Sequence, residues 1–381
     1  MVERTPRDEL VDLDALSVDP HPIFERLRTL GEAVWAERLG VWLVAGYEAC
    51  RRVLGDPTTF TVEADDNILE ATIGRMMLSV DGEPHKRYRR PFAKPLHLPA
   101  LRAAGMEATV REIAGELIDG FAGDRKADLR AAYARPLAMR VVVAHLGLPW
   151  DERLFGIFDA VAAAFANQAG DPEVAASGRR AFAEFADLVA EAPDDAPFRR
   201  MSRFAEPPLD AAEIASNVAI TVFGGFETTT ATIVNALWAI GDRDLWDLVA
   251  GESPPWSRIV EETLRWESPV QTATRHVTVD VEFGGARLRA GDRLWCLLGA
   301  ANRDPAAFPE PDRFRLDRPP MPKILSFASG PHLCIGAPLA RMEGAVALEV
   351  LFDRLPGLRL LDAGRPVGHE FRSLAQLPAT W

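Results

Sequence analysis

Apolar residues recur at three- and four-residue spacing through the middle of the chain, and strand-like alternation is confined to its flanks. Residues 33–43 alternate as two strands meeting at Leu39-Gly40, and 47–54 then switches to a helical period. Helices are predicted over 101–121, 137–146, 155–166 and 179–190, all rich in the helix formers Ala, Leu, Glu and Arg. The longest apolar stretch, 214–240, predicts a further helix buried on most sides. Between 277 and 295 the pairs Gly284-Gly285 and Ala290-Gly291 punctuate short strands. The pattern predicts a mainly α protein with a small sheet.

Composition narrows this picture without changing it. A chain of 381 residues, 48% of them hydrophobic, can bury a large core, and no linker or repeat divides it, so one domain spanning 1–381 is expected. There is no run of about 18 apolar residues and no signal-peptide pattern over 1–14, which predicts a soluble, cytoplasmic protein without a membrane anchor. Cys50, Cys296 and Cys334 are too few and too scattered for a disulfide framework. Cys50 and Cys296 lie in apolar surroundings that predict core packing. The net charge of -13 argues against nucleic acid, whose binding rests on basic contacts to phosphate.

Cys334 is different, because it sits in Phe327-Ala328-Ser329-Gly330-Pro331-His332-Leu333-Cys334-Ile335-Gly336, just before a helix start. A thiolate needs positive potential and N–H donors, and a helix N-terminus beside glycines supplies both. Gly330 and Gly336 let the main chain bend and lie flat against a planar group. The residues alone license a thiolate that holds a metal from one side.

A second signal is Phe223-Gly224-Gly225-Phe226-Glu227-Thr228 inside the long apolar helix. Two glycines in a helix interior cost about 1 kcal/mol each relative to alanine, so something must compensate. Removing side chains where a ligand approaches, with a local widening of the helix, would do so and would leave Glu227 and Thr228 beside the gap. A third is Glu262-Thr263-Leu264-Arg265, an acid and a guanidinium on one helical face.

The spacing Phe-x-x-Gly-x-His-x-Cys-x-Gly resembles the haem-binding loop of the cytochromes P-450, and the other two elements resemble that family's Gly-x-Glu-Thr and Glu-x-x-Arg helices. The resemblance implies the family's fold, a large helical lobe with a smaller β-containing lobe formed mostly by residues 30–60, 270–300 and the C-terminal strands. It implies haem b (iron protoporphyrin IX) with Cys334 as axial iron ligand, Phe327, Gly330 and Gly336 shaping the loop, and Gly224 and Gly225 lying against the cofactor. The position usually held by glycine after Phe327 is Ala328, where a methyl is expected only to tighten packing. His85, Arg89, Arg275 and His332 would meet the propionates, for which charge-assisted hydrogen bonds suit. Glu227 and Thr228 would deliver protons to dioxygen by general acid catalysis. Glu262, Arg265 and Arg313 would form a structural triad behind the loop.

The same resemblance implies a monooxygenase that hydroxylates or epoxidises a hydrophobic small molecule, fed from NAD(P)H by a separate ferredoxin and ferredoxin reductase, and acting as a monomer. A peroxide-driven peroxygenase and a non-enzymatic haem-binding sensor are the alternatives. By position the substrate pocket should be lined by 61–80, Ile220, Phe223, Gly224, Gln271, Thr272, Ala273, Phe371 and Leu374, beneath an abbreviated lid at 191–209. Of the basic run 86–90, Arg87 reads as solvated.

Overall fold

The computed structural model describes residues 11–167, 170–362 and 364–381. The expectation about residues 1–10 lies outside them. The alternation over 33–43 becomes β1 (Val34–Ala36) and β2 (Val41–Val44), antiparallel with Trp35 opposite Trp42. With β3 (Phe60–Thr61), β4 (Thr272–Val277) and β5 (Arg293–Leu297) they form a sheet in the order β1-β2-β5-β4-β3. β2 pairs with β5 in parallel, joining segments some 250 residues apart, and every residue of β2 is buried. Such two-sided burial explains its unbroken apolar sequence. Cys50 and Cys296 are buried beside this junction, as expected.

The helices that position the site are α1 (Tyr47–Gly55), α2 (Ile68–Ile73), α3 (Gly82–Ala93), α4 (Met106–Asp119), α5 (Arg135–Leu146), α6 (Arg153–Phe165), α7 (Pro172–Glu191), α8 (Ala211–Asp242) and α9 (Trp256–Trp266). α10 (Ala337–Arg354) follows the cysteine. The helix predicted over 101–121 is broken at Ala104-Gly105, where Gly105 adopts φ +68° and starts α4 anew. α7 lies on α6 at Gly178, where a Cβ would stand 2.3 Å from the Cβ of Ala164 and 3.2 Å from Cγ2 of Thr72 in α2. No helix among the described residues is long and apolar enough to cross a membrane.

The central element is α8, 32 residues and so about 48 Å long. It opens with a capping box: Asp210 accepts from the N–H of Glu213, and Glu213 accepts from the N–H of Asp210. Glu213 also accepts from Arg87 at 2.7 Å and from the hydroxyl of Tyr88 at 2.8 Å. Arg87 is therefore a tether between α3 and α8 rather than a solvated charge. The expected widening at Gly224-Gly225 is absent, since α8 is a continuous α-helix through both. The π turn occurs instead at Arg130–Ala134, ahead of α5. Gly225 is explained by packing, because a Cβ there would stand 2.8 Å from Val142 Cγ2 on α5.

Behind the cysteine loop, Glu262 and Arg265 of α9 form a two-pronged ion pair at 2.7 and 2.9 Å, both essentially buried. The third member is Arg318. Its Nε meets both Glu262 oxygens at 2.9 and 3.0 Å, and its side chain is 5% exposed. The expected member, Arg313, is 74% exposed and pairs with Glu310; what it contributes is its carbonyl, which accepts from Arg265 and Arg318. The guanidinium on Glu262 thus comes from a position five residues beyond the expected one. Arg265 also donates to the carbonyl of Asn302, whose side chain binds the N–H of Leu325 and the hydroxyl of Ser326 at the start of the loop. Removing one partner of a buried pair strands the other, so Arg318→Ala should cost about 2–4 kcal/mol. Arg313→Ala should cost less than about 0.5 kcal/mol. Urea unfolding midpoints of the two variants measure the contrast.

Candidate active site

The loop 327–336 is folded by its own backbone. The N–H of Cys334 donates to the carbonyl of Phe327 at 2.9 Å, and that of Leu333 to Gly330 at 3.1 Å. Gly330 holds φ +71°, and a Cβ there would lie 2.2 Å from the carbonyl oxygen of Leu54, so this glycine serves the close approach of α1 rather than a planar group. Ala328 holds φ +56°, a left-handed conformation that costs a non-glycine residue about 1 kcal/mol. The methyl therefore carries a cost in backbone strain. Phe327 is capped by Arg341, whose guanidinium lies 4.4 Å above its ring and pairs with Glu261.

Cys334 is exposed, and what it is exposed to is a cavity of about 680 Å³. Burial pushes its thiol pKa up; the N–H of Gly336, the charge of Arg89 and the N–H of Ala337 oppose this, in that order. The helix start therefore directs donors at the sulfur, as the sequence implies. Among the described residues no group of three or more His, Cys, Asp or Glu could hold a metal ion. A metal bound by Cys334 would take its other ligands from a cofactor.

α8 walls the cavity with Ile220, Phe223, Gly224, Gly225 and Thr228. A Cβ on Gly224 would meet nothing within 4 Å, so this glycine leaves its space to the cavity. The hydroxyl of Thr228 donates back to the carbonyl of Gly224 at 2.6 Å. Glu227, one residue earlier and so about 100° around the helix, does not line the cavity. It lies 3.8 Å from Arg135, with its side chain 19% exposed. Burial raises its pKa against the charges of Arg135 and Arg130. The acid and the hydroxyl are neighbours in sequence on different faces.

The expected propionate cluster is partly regrouped. Arg89, Arg275 and His332 line the cavity, and His85 stands behind, its ring 4.2 Å from that of His332. Asp81, to which the sequence reading gave no role, binds His332 Nε2 at 2.7 Å and the hydroxyl of Thr61 at 2.7 Å. Arg89 donates to the carbonyl of Leu333 and Arg275 to that of Thr274. Neither has a carboxylate among its ion pairs with described residues, and burial lowers the pKa of both. His332 Nδ1 and His85 Nε2 are buried without a hydrogen-bond partner. A buried and a half-buried guanidinium with no carboxylate bonded to them among the described residues, and two orphaned imidazole nitrogens, fit a dianionic cofactor beside an open thiol.

Away from the thiol the cavity is walled by residues 62–71, Phe165, Asn167, Thr272, Ala273 and Phe371. Gln271 and Leu374, expected here, are core residues. Gln271 donates to the carbonyl of Ser268, and Leu374 is 2% exposed in the hydrophobic core. The segment 191–209 contributes no lining residue. The α6–α7 joint does so instead. His145, Glu343 and Glu370 line the cavity and escaped the sequence reading. His145 offered only a lone ionisable residue in an apolar run, and Glu343 and Glu370 offered no periodic pattern at all. Glu343 is 2% exposed, and burial pushes its pKa well up. A second concavity of about 640 Å³, between α6 and α7, is an open groove holding none of these residues.

A family model described as "Cytochrome P450" matches residues 255–355. The chain is 32% identical to "Cytochrome P450 monooxygenase PikC" of Streptomyces venezuelae, over 99% of this chain and 95% of that one. It is 34% identical to "Mycinamicin IV hydroxylase/epoxidase" of Micromonospora griseorubida, over 89% of each. Among solved structures, P450BioI bound to an acyl carrier protein ligated with hexadec-9Z-enoic acid superposes with TM-score 0.85 at 28% identity, covering 95% of this chain and 98% of that one. The tirandamycin C-bound monooxygenase TamI superposes at 0.83 with 29% identity, covering 97% and 99%.

Two backbone positions and one histidine give direct tests. Ala328→Gly should stabilise the protein by about 0.5–1 kcal/mol, and Gly330→Ala should destabilise it by about 3 kcal/mol, both read by urea unfolding. His145 is 8% exposed, and burial lowers its pKa from 6.5 to about 4. Between those values the unfolded chain binds the proton and the folded chain does not. Its contribution is therefore whole above about pH 6.5 and lost as pH falls toward 4. His145→Leu should remove about 2–3 kcal/mol of acid sensitivity across that window in a pH series of unfolding free energies.

Proposed function

Because the chain belongs to the cytochrome P450 family and is a monooxygenase of that class, we propose that it hydroxylates or epoxidises a hydrophobic natural product with electrons supplied by separate proteins. The observation that carries this is a single exposed thiol, Cys334, in the same cavity as Thr228, with unneutralised guanidiniums between its walls. Cys334 would hold a haem, which supplies dioxygen activation when bound; Arg89, Arg275 and His332 would hold its propionates.

The chain's own residues then divide the remaining work. The N–H groups of Gly336 and Ala337, with Arg89, stabilise negative charge on the sulfur. Gly224 leaves room above Thr228's turn of α8, where dioxygen would lie. The Thr228 hydroxyl is held by the Gly224 carbonyl, so its oxygen lone pairs can accept a hydrogen bond within the cavity, and rotation about its C–O bond turns it into a donor. Glu227, behind the wall and partly exposed, can exchange a proton with solvent at its carboxyl oxygen, which makes it the candidate source of protons outside the cavity. Phe223, Phe165 and Phe371 form an edge-to-face row, with centroids 4.8 and 5.5 Å apart, that keeps water from the substrate.

A ferredoxin with its reductase, drawing on NAD(P)H, is the proposed electron source, and the cytoplasm the proposed location of a monomeric enzyme. The relatives' names, which specify a mycinamicin IV hydroxylase/epoxidase and a bound tirandamycin C, support a tailoring role.

The haem-loaded protein, reduced and exposed to carbon monoxide, should give a thiolate-type spectrum that Cys334→Ala abolishes. Thr228→Ala should lower product formed per reductant consumed by about tenfold or more while leaving that spectrum intact. Wild-type coupling in Thr228→Ala would sink the proton-delivery role.

A further inference from the structure

The substrate end of the cavity carries one carboxyl that the fold leaves unspent. Glu370 precedes Phe371 in the C-terminal segment, and both line the cavity. The segment is fixed on both sides: the carbonyl of Glu370 accepts from the N–H of Gln271 at 2.8 Å, and the N–H of Arg372 donates to the carbonyl of Pro269 at 2.8 Å. Arg372 is further clamped by Glu267. Against this rigid backbone, the Glu370 carboxyl has no hydrogen bond or ion pair with any described residue. Burial alone, with no neighbouring charge contributing, pushes its pKa up to about 7. The residue is half-buried, so its carboxyl opens into the cavity with part of its hydration removed, and a cationic ligand there would offset that loss.

The charges of the cavity indicate which ligand. Arg89, Arg275 and His332 gather at Asp81 and the thiol loop, where the cofactor needs them. At the other end Asp66 is cancelled by Arg293, while Asp65 and Glu370 have no cation. Burial lowers the pKa of His145 and of His276, so neither imidazole supplies positive charge. The imbalance is acidic, and beside it stand the rings of Phe371 and Phe223, whose faces attract cations. We infer that Glu370 is a specificity-determining residue that takes a basic or quaternary ammonium group of the substrate, anchoring the apolar remainder along the aromatic row. This rests on the reading of the cavity as a monooxygenase substrate site.

The test uses the haem-loaded protein and three probes on one skeleton: phenylbutyl-trimethylammonium, its uncharged tert-butyl isostere, and the corresponding alcohol. A quaternary nitrogen has no lone pair, so direct ligation of iron does not contribute. Calorimetric titration should show the ammonium binding at least about tenfold tighter than either neutral probe. Glu370→Gln should bring the three within about twofold, and Glu370→Asp should restore part of the preference. Equal affinities in the wild type, a preference that survives Glu370→Gln, tighter binding of the alcohol, or no binding of any probe would each overturn the assignment. The carbon monoxide spectrum of the same preparation keeps the two readings apart. Its failure counts against the haem-thiolate site, whereas the calorimetric ratio does not read the iron and judges Glu370 alone.

Discussion

A carboxylate cannot be left alone in a protein interior, and Glu262 is surrounded accordingly. Its oxygens accept from two guanidiniums and from the N–H of Arg315, within 2.7–3.0 Å. Each guanidinium then spends its remaining donors on carbonyls of 302–313. A planar fork is suited to serving a carboxylate and several carbonyls at once, which a lysine could not do. Through Asn302 and Ser326 the same network holds the segment that enters the cysteine loop. The position of the thiol relative to α8 is therefore inherited from an ion-pair cluster that never touches the cavity. Such a cluster adds little net stability, because desolvation offsets most of its attraction, but it tolerates few alternative arrangements.

The front of the loop obeys a different constraint. Ala328 and Gly330 both occupy the left-handed region, and the second does so against the carbonyl of Leu54. The loop is thus pinned from behind by charge and from beside by a contact with no room for a side chain. What remains free is the sulfur, with amide donors aimed at it. Strain held in place by over-determined surroundings is common at functional sites.

Legibility followed the range of the interactions. The helices over 137–146, 155–166 and 179–190 and the strand pair at 33–43 were readable because their periodicity is local, and the observed elements differ mainly at their ends. The thiolate was readable because its requirements lie within ten residues. Arg318 was not, because Arg313 and Arg318 both follow the Phe308 segment, and only packing decides which guanidinium turns inward. Glu227 was misplaced for a simpler reason. Adjacent helical residues diverge by about 100°, and at this turn Thr228 faces the cavity while Glu227 faces Arg135. The widening assigned to the glycines was unnecessary: Gly224 opens space and Gly225 admits Val142, with the helix regular throughout. Single ionisable residues such as His145, in an apolar run, and Glu370, in a short irregular segment, give no pattern to read.

The contact at Gly178 bears on the shape of the cavity. α7 meets α6 and α2 there across only the methyls of Ala164 and Thr72, and those two helices belong to the segments that supply residues 62–71, Phe165 and Asn167 to the cavity wall. Any side chain at position 178 would press the three elements apart. The spacing of that wall is thus owed to a single missing methyl group.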